Sequence, residues 1–220
     1  MASSLIVAAQ VARTLVEIGA VGVKAKNPIT FKSGIISPVY VDNRTLPYHP
    51  KAWKTVIEGF QTLIEEEKIA FDVLAGVAVG GVPHASALGY LMQRPSLFVR
   101  KEAKGYGKEK RVEGGTVEGK KILLIEDLIT TGSSSLSGVE ALRQEGGLVD
   151  TILAIVTYSF KEAGQAFEKE NITAHTLTTF PIIMQQGLEM GRFDIEEQQA
   201  VMEWLDDPHG WWNKKNGDVA

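Results

Sequence analysis

The stretch Lys120–Gly147, KKILLIEDLITTGSSSLSGVEALRQEGG, decides the fold. Its apolar run Ile122–Ile125 lacks the polar alternation of a half-exposed strand and suits one buried on both faces. Two acids follow, Glu126 and Asp127, then a loop of hydroxyls and one glycine, then a helical pattern from Ser133 to Gln144. Strand, short loop and helix form the repeating unit of a parallel α/β sheet, where ligands sit outside the carboxyl ends of the strands.

Outward from that stretch the rhythm repeats. Towards the N-terminus the patterns predict a helix over Lys51–Glu67, a strand over Phe71–Val77, a helix over Pro83–Met92 and a strand over Ser96–Arg100. The central strand itself is predicted over Lys121–Glu126. Towards the C-terminus come a strand over Val149–Ser159, a helix near Lys161–Glu170 and a strand over Thr173–Thr179. The ends leave this pattern. A first amphipathic helix, capped at Ser3 or Ser4 and stopped by Gly19, precedes the proline-rich, β-rich phrase ITFKSGIISPVYVDNR over Ile29–Arg44. Helices over Pro181–Met190 and Asp194–Leu205 lead to WLDDPHGWWNKKNGDVA, where Trp204 is expected to pack on the body and Trp211 and Trp212 to seal a tail.

Composition narrows the classes. With 220 residues the chain can bury a full core as one domain. Zero cysteines exclude disulfides, thiolate metal sites and a thiol nucleophile, and fit a cytoplasmic location. No apolar run approaches the roughly 20 residues of a membrane span, and the N-terminus lacks a signal-peptide pattern. A formal net charge of −4 argues against a nucleic-acid partner. Any anion must be caught locally.

The Thr130–Ser134 loop can do that. Thr130, Thr131, Gly132, Ser133 and Ser134 offer successive backbone N–H groups before a helix N-terminus, a nest for a monophosphate. Glu126 and Asp127 can accept hydrogen bonds from a vicinal diol and favour positive charge on a sugar ring. The plainer alternative is a solvated strand end followed by a hydroxyl-rich helix cap. The spacings of a nucleotide P-loop, a dinucleotide fingerprint and a nucleophile elbow are absent.

ILLIEDLITTGSS resembles the phosphoribosyl-pyrophosphate (PRPP) signature of type I phosphoribosyltransferases. With ITFKSGIISPVYVDNR, RKEAKGYG over Arg100–Gly107, VEGGTVEGKK and the terminal EWLDDP, the chain is similar to orotate phosphoribosyltransferases over most of its length. The resemblance implies a type I phosphoribosyltransferase fold: a mainly parallel sheet flanked by helices, with a core over about 50–179 and a small hood from about 1–45 and 180–210. It implies transfer of ribose 5-phosphate from PRPP to orotate, giving orotidine 5′-monophosphate and pyrophosphate in pyrimidine synthesis. A purine phosphoribosyltransferase and a PRPP-sensing regulator are the alternatives.

The resemblance also assigns residues. PRPP binding falls to Arg100, Lys101, Lys104 and Tyr106, and to the run Glu126, Asp127, Leu128, Ile129, Thr130, Thr131, Gly132, Ser133 and Ser134. Catalysis falls to Lys104, Glu126 and Asp127, and orotate binding to Thr130 and Lys26, with Lys24 and Lys32 as further candidates. Mg²⁺ would be bound mainly through PRPP, with no dedicated protein ligand. Arg100–Lys121, eight basic residues against four acidic ones, would be a mobile loop closing over pyrophosphate. In a homodimer, Arg100 and Lys104 would cross to the neighbouring site, whereas Lys101 would act within its own subunit. Ala75–Ala85 matches the family's pyrophosphate loop. His84, at the start of an apolar helix, reads as structural. Three positions depart from many members: Tyr106 replaces a histidine, Gly80 a pyrophosphate-binding lysine and Phe160 an orotate-contacting arginine.

Overall fold

A computed structural model describes residues 2–31, 33–102 and 110–216. In chain order, the elements are α1 (Ala2–Glu17), β1 (Val21–Val23), β2 (Ile29–Thr30), β3 (Ile36–Ser37), β4 (Val39–Val41), a 3₁₀ helix (Asn43–Tyr48), α2 (Pro50–Glu66), β5 (Val73–Val77) and α3 (Gly81–Met92). They continue with β6 (Ser96–Val99), β7 (Val112–Glu113), β8 (Lys121–Ile129), α4 (Ser133–Gln144), β9 (Leu148–Thr157), α5 (Lys161–Lys169), β10 (Thr173–Thr179), α6 (Phe180–Glu189), α7 (Ile195–Asp206) and α8 (Trp211–Asn216).

Six strands form the central sheet in the order β10-β9-β8-β5-β6-β7. All neighbours pair in parallel except β7, which closes antiparallel on β6. The long strand β8 lies inside the sheet, and its alternation splits the core. Leu123 and Ile125 pack with Phe60, Leu88 and the terminal elements, whereas Ile122 and Leu124 pack with Val139 and Leu142 of α4. Burial of each such side chain contributes roughly 2 kcal/mol, so this register is firmly set.

The hood gathers α1, the two small antiparallel pairs β1–β4 and β2–β3, and α6 to α8. Trp204, fully buried, stands edge-on to Phe31, Tyr158 and Phe160, joining the hood to the end of β9. Its expected packing role is met, and Trp211 is buried as well. Most boundaries differ from the sequence reading by one or two residues, and two differences go further. Helix α1 begins at Ala2, which puts Ser3 and Ser4 within its first turn and not ahead of it; Gly19, with φ +71°, follows its end as expected. Strand β8 runs three residues past Glu126, to Ile129, because its parallel pairing with β9 continues through Leu128 and Ile129.

Candidate active site

Parity along β8 places the two carboxylates. Glu126 follows Ile122 and Leu124 onto the α4 face, is 4% exposed, and accepts a hydrogen bond from Ser135 Oγ at 3.2 Å. Asp127 follows Leu123 and Ile125 onto the opposite face. There its carboxylate lies against Gly80, where any added Cβ would collide with it. Although adjacent strand residues point to opposite faces, a side-chain hydrogen bond with Asp127 is among the causes acting on Glu126, so the two carboxyl groups stay within reach of each other. Burial, and next the Asp127 charge, push the Glu126 carboxyl well above the usual range and favour its neutral form. The backbone amide of Asp127 also donates to Glu126 Oε1 at 3.2 Å.

Two neighbours support Asp127. Asn43, 1% exposed at the start of the 3₁₀ helix, donates from Nδ2 to the Asp127 carbonyl at 2.8 Å. On the other side, the β5–α3 turn must come very close to β8. An added Cβ on Gly81 would meet the Ile125 carbonyl, and one on Gly76 would lie 2.7 Å from Val82 Cα. These glycines let the turn abut β8. A lysine at position 80 would push its own Cβ into Asp127.

Beyond β8 the chain enters α4 through Gly132 in the left-handed region, φ +81°. No side chain caps this helix. Thr131 Oγ1 and Ser133 Oγ instead hydrogen-bond each other at 2.8 Å. The hydroxyls therefore do not satisfy the first-turn N–H groups, which lack intrahelical acceptors and are positioned for an external anion. The glycine has a further cause beyond backbone approach: its Cβ would sit 2.9 Å from the Phe167 ring of α5.

A cavity of 470 Å³ opens over this turn. The loop Leu128–Ser135 forms one wall, Val77 and Ala78 of the β5 end a second, and Val99, Arg100, Lys101 and Arg111 a third. Phe31 and Ser33, from the β2–β3 turn of the hood, complete it. Of the sequence-assigned residues, Arg100, Lys101, Leu128, Ile129, Thr130, Thr131, Gly132, Ser133 and Ser134 are brought together here. Glu126 and Asp127 flank the cavity from the strand beneath. Lys104 and Tyr106 lie outside the described residues, as does Lys32. Lys24 and Lys26 line a different groove, against Asp194, Glu196, Glu197 and Lys215. Sequence reasoning missed Phe31, Ser33, Arg111, Ser137 and Asn43. The first two bracket Lys32 in the hood phrase, and Asn43 shares the inward parity of Val39 and Val41.

His84 is fully buried and its Nδ1 accepts from Trp53 Nε1 at 3.0 Å, which ties α3 to α2. Burial lowers its pKa to about 4, consistent with a structural role. Phe160 is 5% exposed in a stack with Tyr158 and against Trp204. It therefore belongs to the aromatic core and lies outside the cavity lining.

A parallel sheet whose buried central strand feeds an uncapped helix, beside a cationic strand end, forms an anion-binding α/β site of the kind a phosphorylated substrate requires. The family described as "Phosphoribosyl transferase domain" matches residues 44–181. The chain is 37% identical over 204 residues to the orotate phosphoribosyltransferase of Coxiella burnetii, covering 93% of this chain and 98% of that one. The crystal structure of orotate phosphoribosyltransferase from Aeropyrum pernix superposes with a TM-score of 0.72 at 27% identity, over 83% of this chain and 99% of that one. The Mycobacterium tuberculosis H37Rv orotate phosphoribosyltransferase in complex with PRPP does so at 0.64 and 26%, over 80% and 98%. This chain belongs to the orotate phosphoribosyltransferase family.

Proposed function

We propose that the chain transfers the 5-phosphoribosyl group of PRPP to orotate, releasing pyrophosphate and forming orotidine 5′-monophosphate. The observation that carries this reading is one cavity joining an uncapped helix N-terminus, a cationic strand end and the hood. The monophosphate rests on the Thr130–Ser134 turn, where backbone N–H groups and the helix dipole favour a dianion. The ribose lies over the end of β8. A ring nitrogen of orotate bonds to C1 as the bond from C1 to the pyrophosphate oxygen breaks. The electron pair leaves with pyrophosphate, and the proton on that nitrogen is released.

Asp127 keeps a carboxylate near the carbon where positive charge develops, and a preorganised charge of this kind stabilises a transition state directly. Glu126 braces the turn through Ser135. Arg100, Lys101, Lys104 and Tyr106 are proposed to bind the leaving group, and Thr130 the base. Closure of Lys104 and its neighbours would exclude water from the ring cation. The residues also fit Mg²⁺ that arrives on pyrophosphate. Asp127, beside Gly80, offers the oxygen chemistry that suits the ion's water shell. When bound, the ion supplies charge neutralisation on the leaving group.

A homodimer belongs to the same reading. Val79 is 77% exposed beside the turn that lines the cavity, and Tyr90 and Leu91 are 83% and 45% exposed at the far end of α3. A second copy covering them would bring its cationic segment towards this site. Among the described residues no helix is long and apolar enough to cross a membrane, and we place the enzyme in the cytoplasm.

An acceptor panel of orotate, uracil, adenine, guanine and hypoxanthine, with PRPP and Mg²⁺, tests the substrate assignment. Turnover confined to orotate is expected. Turnover on a purine alone would replace the assignment with the purine enzyme.

A further inference from the structure

The reaction as proposed does not use Arg111, yet the structure gives this residue an unusual set of partners. It stands at the end of the cationic segment and reaches back to its start. The Arg100 amide donates to the Arg111 carbonyl at 2.8 Å, and Arg111 Nε donates to the Arg100 carbonyl at 2.8 Å. Its Nη2 donates to Ser137 Oγ at 3.0 Å. Ser137 lies four residues after Ser133, about one helical turn beyond the anion-binding end of α4. The guanidinium is thus held between the base of the segment and the phosphate-turn helix, half-buried, in the cavity wall.

Its electrostatic state differs from that of its neighbour. Arg100 pairs with Glu113 at 3.5 Å. Among the described residues, no carboxylate pairs with Arg111 and Nη1 has no hydrogen-bond partner. A half-buried guanidinium on two neutral acceptors keeps an unused edge of its planar fork, the geometry that matches a phosphate.

We propose that Arg111 is a binding residue for the 5-phosphate of the substrate and product, a side-chain cation added to the backbone cradle. The inference rests on the PRPP reading above. The tether to Ser137 decides which end of PRPP it serves, because it fixes the guanidinium beside the helix turn that receives the monophosphate. The 5-phosphate is present in PRPP, ribose 5-phosphate and orotidine 5′-monophosphate, but pyrophosphate lacks it.

Calorimetric titration of the full chain with those ligands, and with Mg²⁺-pyrophosphate, separates the possibilities. Arg111→Gln should weaken ribose 5-phosphate and orotidine 5′-monophosphate by about 10- to 100-fold, the range for a charge-assisted hydrogen bond, with pyrophosphate within twofold of the original. Ser137→Ala keeps the charge and removes the tether, so it should give a smaller loss in the same two ligands. It also carries the test if Arg111→Gln proves unfolded by circular dichroism. Unchanged affinity for both phosphosugars overturns the proposal, as does a loss confined to pyrophosphate. If the unaltered chain binds neither PRPP nor orotidine 5′-monophosphate, the proposed function itself is wrong.

Discussion

Replacing Gly132 by alanine separates the two reasons for a glycine at the entrance to α4. The residue has φ +81°, where an L-residue costs about 1–2 kcal/mol. A Cβ there would also sit 2.9 and 3.0 Å from two atoms of the Phe167 ring, which is 5% exposed in the α5-side core. The ring must withdraw by several tenths of an ångström, an overpacking cost of about 1–3 kcal/mol. The sum is about 2–5 kcal/mol, or about 5–15 °C in the melting midpoint of a domain this size. Because the same residue orients the first-turn N–H groups, the KM for PRPP should rise along with the loss of stability.

The assay is a double-mutant cycle read by denaturant unfolding: wild type, Gly132→Ala, Phe167→Leu and the pair. Phe167→Leu removes the ring atoms that clash, so the pair should be less destabilised than the sum of the singles by at least about 1 kcal/mol. The KM for PRPP should stay raised, since φ is still wrong for alanine. Strict additivity would refute the steric half of the reasoning. An unchanged KM in both alanine variants would refute the claim that this backbone turn holds the phosphate.

Asp127→Asn should lower kcat by about 100-fold or more while the fold persists, as expected for loss of a transition-state charge; a loss confined to KM would contradict that. Lys104→Ala should lower kcat more than PRPP affinity, and mixing it with Asp127→Asn protein should restore some activity through mixed dimers; heterodimers without activity would argue against a shared site. Phe160→Arg, which buries a charge among aromatic rings, should destabilise the chain by about 3–5 kcal/mol without tightening orotate binding; tighter orotate binding would show that the position reaches the base. His84 binds protons in the unfolded chain below 6.5 and in the folded chain only near 4, so acidification through that window destabilises the fold, by at most about 3 kcal/mol in total. Unfolding free energies from pH 4.5 to 7 should show this loss in wild type and lack it in His84→Gln; equal slopes would exclude it. Glu126, with its raised pKa, acts in the opposite sense in both proteins and drops out of the comparison.

The central strand and the glycine turn into α4 were legible in sequence because double-sided burial leaves an unbroken apolar run and because a left-handed entrance needs glycine. What was misread has physical reasons. The acidic pair looked like the strand's end, but pairing with β9 carries on through it to Ile129, and Glu126 is buried against Ser135 of α4. Lys26 is close in sequence to the hood phrase, yet the segment after β1 brings it to α7 instead of the cavity. Phe31 and Ser33 become site residues only because the β2–β3 turn folds over a loop 100 residues later, and no local pattern encodes that approach. Strand β7 is two residues long, too short for any periodicity, and Arg111 beside it was hidden within a run of charges. The arginine missing at Phe160 leaves a core aromatic in its place.

The most direct test is a crystal structure of the full chain with PRPP, Mg²⁺ and an unreactive orotate analogue. The account predicts the 5-phosphate on the backbone amides of Thr131–Ser135 with Arg111 at its side, the ribose over Asp127, and the analogue between Thr130 and the Phe31–Ser33 turn. Finding the phosphate elsewhere, such as in the Lys24–Lys215 groove, would contradict it.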